Sequence, residues 1–372
     1  MIKALGCPAV LIVAPMAGIG GTEIATEVQA RSLARAGWRV VIFGDPGPLT
    51  QSFGSLAIEF IPARLYTRKF LILLSILKDL VIILRRLQPD VLHCQMARPV
   101  PLSWLALWLS GRMGKTKLFW TSRGLEGNSY RFVVPLLNLF RVRALGNCVS
   151  EERKLLRYGM AAARTSYIYN AYRLKSTDRR LGRPPDIPLV IGTLAALREN
   201  RRLDHFIEMA VRLRRSLDPR CTVEFRVAGE GPARAALQAQ AEKLGVGSHI
   251  RFLGNVSNLA SFMGGLHVLV STIYSDHPDM GAGLSNAVIE SMVIGVPVVA
   301  YDMAGIHEIV KDGQTGRLVR SGDIEELTKA VLDLLLDPAH AETLAEAAHA
   351  NIVKVCDPNA TLERLLRLYR EL

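Results

Sequence analysis

Short apolar runs alternate with longer amphipathic stretches along most of the chain. Residues 10–15 read VLIVAP and residues 39–44 read RVVIFG, with a helical pattern over residues 24–36 between them. Continuous apolar runs are typical of parallel strands that are covered on both faces, and a strand–helix–strand order favours a parallel sheet. Further strands are predicted at residues 58–63, 89–95, 117–124, 189–195, 224–232, 249–256, 268–272 and 296–301. The pattern therefore predicts an α/β protein.

A polar stretch divides this alternation into two halves. Residues 174–188 read LKSTDRRLGRPPDIP, which contains three prolines and no apolar periodicity. Such a segment is typical of a domain boundary. We therefore predict one domain over residues 1–175 and a second over residues 186–357, and 372 residues are enough for two substantial cores.

The most apolar segment of the sequence, residues 70–87, belongs to a helix predicted from about Leu65 to Leu87. Lys78 and Asp79 interrupt it, so it is a poor membrane-spanning helix. Its basic ends fit a helix on a membrane surface, but a helix packed on the sheet is favoured because every Rossmann-like domain needs such cover. The N-terminus lacks the charged region, apolar core and cleavage site of a secretory signal in their usual order. We therefore expect a cytoplasmic protein, and peripheral contact with the inner face of the membrane is compatible with this sequence.

The net charge of +12 and the pI of about 9.7 point to an anionic partner. Nucleotide phosphates, a lipid diphosphate and an acidic membrane leaflet all qualify. Nucleic acid is not expected, because no motif combines aromatic and basic residues in the manner of a nucleic-acid-binding module. The five cysteines are scattered and form no CxxC, which predicts reduced thiols and no metal site.

The stretch from residue 279 to residue 319 combines a Gly-rich turn, a helix and a buried strand. Gly281 and Gly283 let the backbone approach a ligand closely. Ser285 or Asn286 can cap the helix, whose free N–H groups then suit a phosphate or a diphosphate. Glu290, one turn further in, can accept hydrogen bonds from a sugar hydroxyl.

This stretch also resembles a known signature. GLSNAVIESMVIGVPVVA, residues 283–300, is similar to EG(L/F)xNxxxEAMAxGxPVVA, the nucleotide-sugar motif of retaining glycosyltransferases of family 4. GGTE at residues 20–23, PDVLHCQ, SRG, VSEE, YNAY and GEGP resemble further segments of that family in the same order. The resemblance covers essentially the whole chain. It implies the GT-B fold, in which two Rossmann-like domains face each other across a cleft and the last helix, residues 358–372, returns to the first domain.

The resemblance also implies an activity and a set of residues. We expect a metal-independent, retaining enzyme without a cofactor that moves a sugar from a nucleotide-sugar, a UDP-sugar rather than a GDP-sugar, to a glycan or lipid-linked acceptor in cell-surface polysaccharide assembly. Catalytic roles fall on Arg123, Arg201 and Glu290. Donor binding falls on Gly20, Gly21, Arg198, Arg201, Glu230, Gly283, Leu284, Ser285, Asn286 and Glu290. Thr22, Glu23 and His93 are assigned to the acceptor side.

The cation for the donor diphosphate follows from the segment TLAALRENRRLD, which resembles GRLxxxKGxD. Leu197 and Asp204 fix the register, so Arg201 takes the lysine position and Ala196 takes the arginine position. A guanidinium suits phosphate oxygens, and Arg198 and Arg202 are neighbouring alternatives. A solvated basic loop is the competing interpretation.

Two departures from the family leave another function open. Ala282 stands where the first signature glutamate is expected, and Ala196 removes one of two phosphate-binding cations. Asp276, Asp279 or Arg198 could substitute. Otherwise the chain is a non-catalytic partner that binds a sugar nucleotide or a glycan. A non-hydrolysing epimerase on the same fold fits the GLSNAVIESM segment less well.

Overall fold

The computed structural model describes residues 7–125, 129–175, 178–180, 182, 188–274 and 283–371. They form two compact units. Unit 1 contains the described residues up to Ala171 and from Pro358, and unit 2 contains those between Tyr172 and Asp357. Each unit is built on a parallel sheet covered by helices, which confirms the α/β class and the two Rossmann-like domains.

The strands of unit 1 form a seven-stranded sheet in the order β3-β2-β1-β4-β5-β6-β7. These strands are β1 (Ala9–Val13), β2 (Arg39–Gly44), β3 (Ile58–Pro62), β4 (Val91–Cys94), β5 (Lys117–Ser122), β6 (Arg143–Gly146) and β7 (Thr165–Tyr167). All neighbouring strands pair in parallel. The chain order reverses between β1 and β4, so a topological switch point lies between those two strands.

The strands of unit 2 form a six-stranded parallel sheet in the order β10-β9-β8-β11-β12-β13. They are β8 (Leu189–Leu194), β9 (Val223–Ala228), β10 (Ile250–Gly254), β11 (Val268–Ser271), β12 (Val298–Tyr301) and β13 (Arg317–Val319). Here the order reverses between β8 and β11. Ligands of open α/β sheets bind outside the carboxyl ends of the strands at such a point.

Helices cover both faces of each sheet. In chain order they are α1 (Gly21–Arg35), α2 (Phe70–Leu87), α3 (Val100–Leu109), α4 (Ser129–Leu139), α5 (Val149–Arg157), α6 (Leu203–Ser216), α7 (Arg234–Lys243), α8 (Leu259–Gly264), α9 (Asn286–Ile294), α10 (Ile306–Ile309), α11 (Ile324–Leu336), α12 (Pro338–Val355) and α13 (Pro358–Glu371). In unit 1, α2 to α5 share one core with the sheet, and α1 and α13 pack on its other face.

Helix α2 confirms one prediction and corrects another. Its buried residues, among them Leu80 and Leu84, lie in the unit 1 core, so it is a helix packed on the sheet. It begins at Phe70 and not near Leu65. The preceding backbone is held in a non-helical path, because Leu65 donates its N–H to Asp45 and the carbonyl of Thr67 accepts from Arg98. Within the described residues, no helix is long and apolar enough to cross a bilayer.

Candidate functional site

Two predicted donor-binding elements lie at the switch point of the unit 2 sheet. Strand β8 leads into the turn that carries Arg201, and the chain after its neighbour β11 leads to the N-terminus of α9. Both therefore follow the carboxyl ends of adjacent strands. This is the position at which an open α/β sheet binds its ligand.

Arg201 ends a 3-10 turn, Glu199–Arg201, directly before α6. The hydroxyl of Thr272, just after β11, donates to the Arg201 carbonyl at 2.9 Å and fixes the turn against the neighbouring strand. Burial, followed by the nearby charge of Arg198, lowers the pKa of the guanidinium. Among the described residues, its side chain has no hydrogen-bond or ion-pair partner. A half-buried cation in that state favours an incoming anion.

The two neighbouring arginines differ from it. Arg202 forms an ion pair with Asp204 at 3.0 Å and stacks over the ring of Tyr274 at 5.1 Å. The Arg202 guanidinium therefore already has partners within unit 2. Arg198 is exposed and lies one turn before Arg201, where it adds positive charge to the same loop.

The loop after β9 packs backbone to backbone against the loop after β8. Gly229 has φ +120°, and a Cβ there would lie 2.0 Å from the carbonyl oxygen of Ala195, so only glycine fits. Leu197 donates its N–H to the Glu230 carbonyl at 3.0 Å. The Glu230 carboxylate is exposed and pairs with Arg234, the first residue of α7. Glu230 thus helps to hold the Arg198–Arg201 loop through its backbone.

The N-terminus of α9 is capped as the sequence predicts. The Ser285 hydroxyl accepts the N–H of Val288 at 3.5 Å, and Asn286 is the first helical residue. Gly283 and Leu284 precede the cap, and the side chain of Leu284 is buried. Gly281, Ala282, Asp276 and Asp279 lie outside the described residues.

Glu290 is buried inside α9, with 4% of its surface exposed. Its Oε1 accepts the N–H of Arg173 at 2.7 Å and its Oε2 accepts the N–H of Leu174 at 3.1 Å. Burial raises the pKa of this carboxyl, and the two backbone N–H groups oppose that shift. A carboxylate has about four lone-pair sites, so acceptors remain for a ligand hydroxyl. Its assignment to the ribose stays a prediction.

In unit 1, the predicted glycine loop also lies at a switch point. Gly20 is the N-cap of α1, and residues 14–20 connect the end of β1 to this helix. The Glu23 carboxylate folds back over this turn, since a Cβ on Gly20 would lie 2.6 Å from its Oε2. Gly21 opens the helix, and the carbonyl of Thr22 accepts the Thr26 hydroxyl at 2.7 Å. The loop therefore presents an acidic side chain beside the helix N-terminus.

His93 lies on β4 with 0% of its surface exposed. Its Nδ1 lies 2.7 Å from the Tyr369 hydroxyl and its Nε2 lies 2.7 Å from Thr121 Oγ1. Gln29 on α1 joins the same group through Tyr369 and through Gln95. This network ties β4, β5, α1 and α13 together. It supports a positioning role for His93, and its assignment to the acceptor side stays a prediction.

Arg123 follows β5 and extends this network. Its Nη1 donates to Asn170 at 2.7 Å and its Nη2 donates to Gln95 at 2.8 Å, and both acceptors are neutral amide oxygens. Burial lowers its pKa to about 10, and the charge of Glu23 raises it, so the guanidinium is charged near neutral pH. The side chain borders a pocket of about 40 Å³ between α1, α13 and the strand ends.

Sequence reasoning missed the amide and hydroxyl groups that hold these charges. Gln95 stands where the family has a second histidine, and Asn170 lies in the family's YNG-like segment, so both gave a local signal. Gln29 and Tyr369 gave none, because each is identified only by its contact with His93 across a long stretch of sequence.

Buried His93 should make unit 1 sensitive to acid. Burial, and then the charge of Arg123, lowers its pKa from 6.5 to about 3, so the unfolded chain binds this proton more tightly than the native state. Stability should therefore fall as the pH drops below 6.5, by up to about 1.4 kcal/mol per pH unit. Thermal unfolding followed across that range checks this, with His93→Gln expected to flatten the slope. His340→Gln, at an exposed site in unit 2, is the control, and equal slopes in wild type and His93→Gln would contradict the assignment.

No group of three or more His, Cys, Asp or Glu side chains in the described ranges is arranged to hold a metal ion. The features described above are arginine cations, backbone N–H donors and the buried carboxylate of Glu290. In unit 2 they suit a phosphate next to a polyol, since Arg201 and the α9 N-terminus attract anions and a carboxylate binds hydroxyls.

Comparisons with known proteins agree with this chemistry. The sequence profile described as Glycosyltransferase Family 4 matches residues 19–175, and the profile described as Glycosyl transferases group 1 matches residues 188–337. The chain belongs to the family 4 glycosyltransferases of the GT-B type.

Curated relatives match about half of the chain. One is a lipopolysaccharide core biosynthesis glycosyltransferase of Rhizobium meliloti, 28% identical over 197 residues, which are 53% of this chain and 54% of the relative. Another is a GDP-mannose-dependent α-(1-6)-phosphatidylinositol monomannoside mannosyltransferase of Mycolicibacterium smegmatis, 32% identical over 167 residues, or 44% and 42% of the two chains. The chain thus spans about half the length of the curated relatives it matches.

Among solved structures, Anabaena HepE in complex with UDP and glucose has a similar fold. The TM-score is 0.81 at 17% identity, and the match covers 98% of this chain and 100% of that one. At this identity the comparison establishes the fold alone.

Proposed function

We propose that this protein transfers a sugar with retention of configuration, from a nucleotide-sugar to a glycan or lipid-linked acceptor in cell-surface polysaccharide assembly. Family membership supports the reaction class, and relatives named for lipopolysaccharide core and phosphatidylinositol mannoside synthesis support such acceptors. We further propose a UDP-sugar as donor, because a protein of the same fold is described in complex with UDP-glucose. Independence of metal ions is part of the proposal.

The observation that carries the proposal is the Arg201 guanidinium. It is half-buried at the switch point between β8 and β11, and no described acidic side chain pairs with it. A donor diphosphate would supply the missing anion. The N-terminus of α9, which follows β11, would add backbone N–H donors to the same phosphates.

The proposed reaction needs charge stabilisation more than a protein nucleophile. The bond from the sugar anomeric carbon to the β-phosphate oxygen breaks, and a bond from that carbon to the acceptor hydroxyl oxygen forms on the same face. The leaving phosphate takes the proton of the acceptor hydroxyl. Arg201 and the α9 N-terminus would stabilise the charge that develops on the phosphate. Glu290 would bind the ribose, and Arg123 and Glu23 would hold the sugar and the acceptor.

The test is a thermal-shift panel of UDP-, GDP- and ADP-sugars and their bare diphosphates, each with and without EDTA. A ligand at one hundred times its dissociation constant should stabilise its domain by about 2.7 kcal/mol. We expect a shift with one UDP-sugar and with UDP, unaffected by EDTA, and release of UDP from that sugar when an acceptor extract is added.

Two results would overturn the proposal in different ways. A shift with a GDP series alone would retain the transferase and replace the donor. No shift with any nucleotide, and no turnover of any donor, would favour the non-catalytic alternative. The comparisons do not favour that alternative, since the curated relatives cited above are named as transferases.

A further inference from the structure

The hydroxyl of Tyr130 links helix α4 to the loop that follows β5. Tyr130 is the second residue of α4, and 0% of its surface is exposed. Its hydroxyl accepts the N–H of Leu125 at 2.8 Å and donates to Glu151 Oε1 at 2.5 Å. Burial, followed by the nearby charge of Glu151, raises the pKa of this hydroxyl, so it stays protonated and able to donate. Tyr130 therefore connects the loop backbone to an acidic side chain on α5.

Glu151 holds the other side of the same loop. It lies in the first turn of α5 with 2% of its surface exposed. Its Oε1 also accepts the hydroxyl of Ser122, the last residue of β5, at 2.5 Å, and its Oε2 forms an ion pair with Lys154 at 3.5 Å. A buried carboxyl group is tolerated when its oxygens have such partners. Glu151 is therefore a fixed anchor inside unit 1.

Arg123 stands between these two attachments. Ser122 precedes it, and Gly124 follows it with φ +88°, a left-handed conformation that suits glycine and turns the chain sharply. The two described acceptors of the Arg123 guanidinium are neutral amide oxygens, which bind it less strongly than a carboxylate would. The direction of this side chain therefore depends on a rigid backbone as well. We call Ser122, Tyr130 and Glu151 the loop clamp.

We propose that Tyr130 and Glu151 are positioning residues for sugar transfer, because they hold the loop in the geometry in which Arg123 meets its ligand. This role rests on the proposed function, in which Arg123 helps to hold the sugar and the acceptor. Neither residue needs to touch a substrate, since both are buried and bonded within unit 1. A misplacement of about 1 Å in such a group can cost about a hundredfold in rate.

Tyr130→Phe tests the clamp, because it removes the hydroxyl and keeps the ring, which stacks on Tyr158 and lies beneath Lys154. We expect kcat for transfer to fall by about tenfold to hundredfold at an unchanged KM for the donor. The affinity for UDP should stay that of wild type, because its proposed contacts lie in unit 2. Tyr167→Phe is the matched control and should turn over normally. Its side chain forms no hydrogen bond among the described residues of unit 1.

A double-variant cycle shows whether Tyr130 acts through Arg123. Arg123→Lys should slow transfer by itself, and Tyr130→Phe/Arg123→Lys should be no slower than Arg123→Lys, because one residue positions the other. Losses that multiply would place the effect of Tyr130 elsewhere and overturn the proposal. A wild-type kcat in Tyr130→Phe would also overturn it, and lowered thermal stability in that variant would then show that the hydroxyl serves only the fold.

A second readout needs no substrate. The Nε–H of Arg123 is buried and has no acceptor in the part of the chain that the structure describes, so it should give a slowly exchanging proton–nitrogen NMR signal, identified by its loss in Arg123→Lys. Tyr130→Phe should shift or broaden this signal and accelerate hydrogen exchange at the Leu125 amide, whereas Tyr167→Phe should leave both unchanged.

This readout separates failure of the clamp from failure of the proposed function. If the wild-type protein turns over no donor, the proposed function fails, and the NMR and exchange signals still decide whether Tyr130 holds the Arg123 loop. If both signals in Tyr130→Phe match those of wild type, the clamp itself is overturned, whatever the protein transfers.

Discussion

Arg201→Ala is expected to weaken binding of the nucleotide-sugar by about 2 kcal/mol, roughly thirtyfold, because it removes a charged donor to the diphosphate. The same substitution should leave the thermal stability of the free protein unchanged or slightly higher. It removes a half-buried cation that no described protein anion neutralises, so nothing in the fold loses a partner. Titration calorimetry with UDP and the selected UDP-sugar, together with thermal unfolding, measures both effects.

Two further variants make this prediction specific. Arg201→Lys retains the charge without the planar pair of donors, so its affinity should fall between wild type and Arg201→Ala. Arg214→Ala, on the exposed side of α6, is the control and should bind the donor normally. If Arg201→Ala bound the donor like wild type, the loop would be no more than a solvated basic segment, as the competing interpretation of the sequence holds.

The sequence predicts ten of the strands that the structure describes, because parallel strands covered on both faces are continuous apolar runs. It does not predict β6, β7 or β13, which are only three or four residues long. It also predicts the cap of α9, since Ser285 and the following apolar residues form a local pattern. The predicted start of α2 near Leu65 is wrong, because the backbone before Phe70 is fixed by Asp45 and Arg98, which lie in other segments. Contacts between distant segments decide such boundaries.

The same limit applies to the site. The sequence identifies Glu290 and His93 as candidates from their local motifs. It cannot reveal that Glu290 accepts from Arg173, 117 positions away, or that His93 contacts Tyr369, 276 positions away. Those partners come close only because the fold brings distant segments of the chain together. They matter because a side chain that holds such a partner stabilises the fold and has fewer hydrogen-bonding positions left for a ligand.

Glu290→Ala should have the second large effect, and it should lower both the stability of unit 2 and the rate of sugar transfer. Loss of the carboxylate leaves the N–H groups of Arg173 and Leu174 without their acceptors, which should lower the stability of unit 2 by about 2 kcal/mol. It should also abolish sugar transfer, since the proposed ribose acceptor is gone. Thermal unfolding and donor turnover measured on the same preparation report the two losses separately.

Glu290→Gln separates the two roles further. It retains the shape of the side chain and one carbonyl oxygen, so it should keep one backbone hydrogen bond, while its amide group meets the second N–H donor to donor. We therefore expect intermediate stability and weak turnover, with Glu325→Ala on the exposed first turn of α11 as the unaffected control. If Glu290→Ala lost stability but bound the donor with wild-type affinity, Glu290 would serve only to hold the Arg173–Leu174 backbone. The ribose would then need another acceptor in unit 2, and the family assignment of this glutamate would not transfer to this chain.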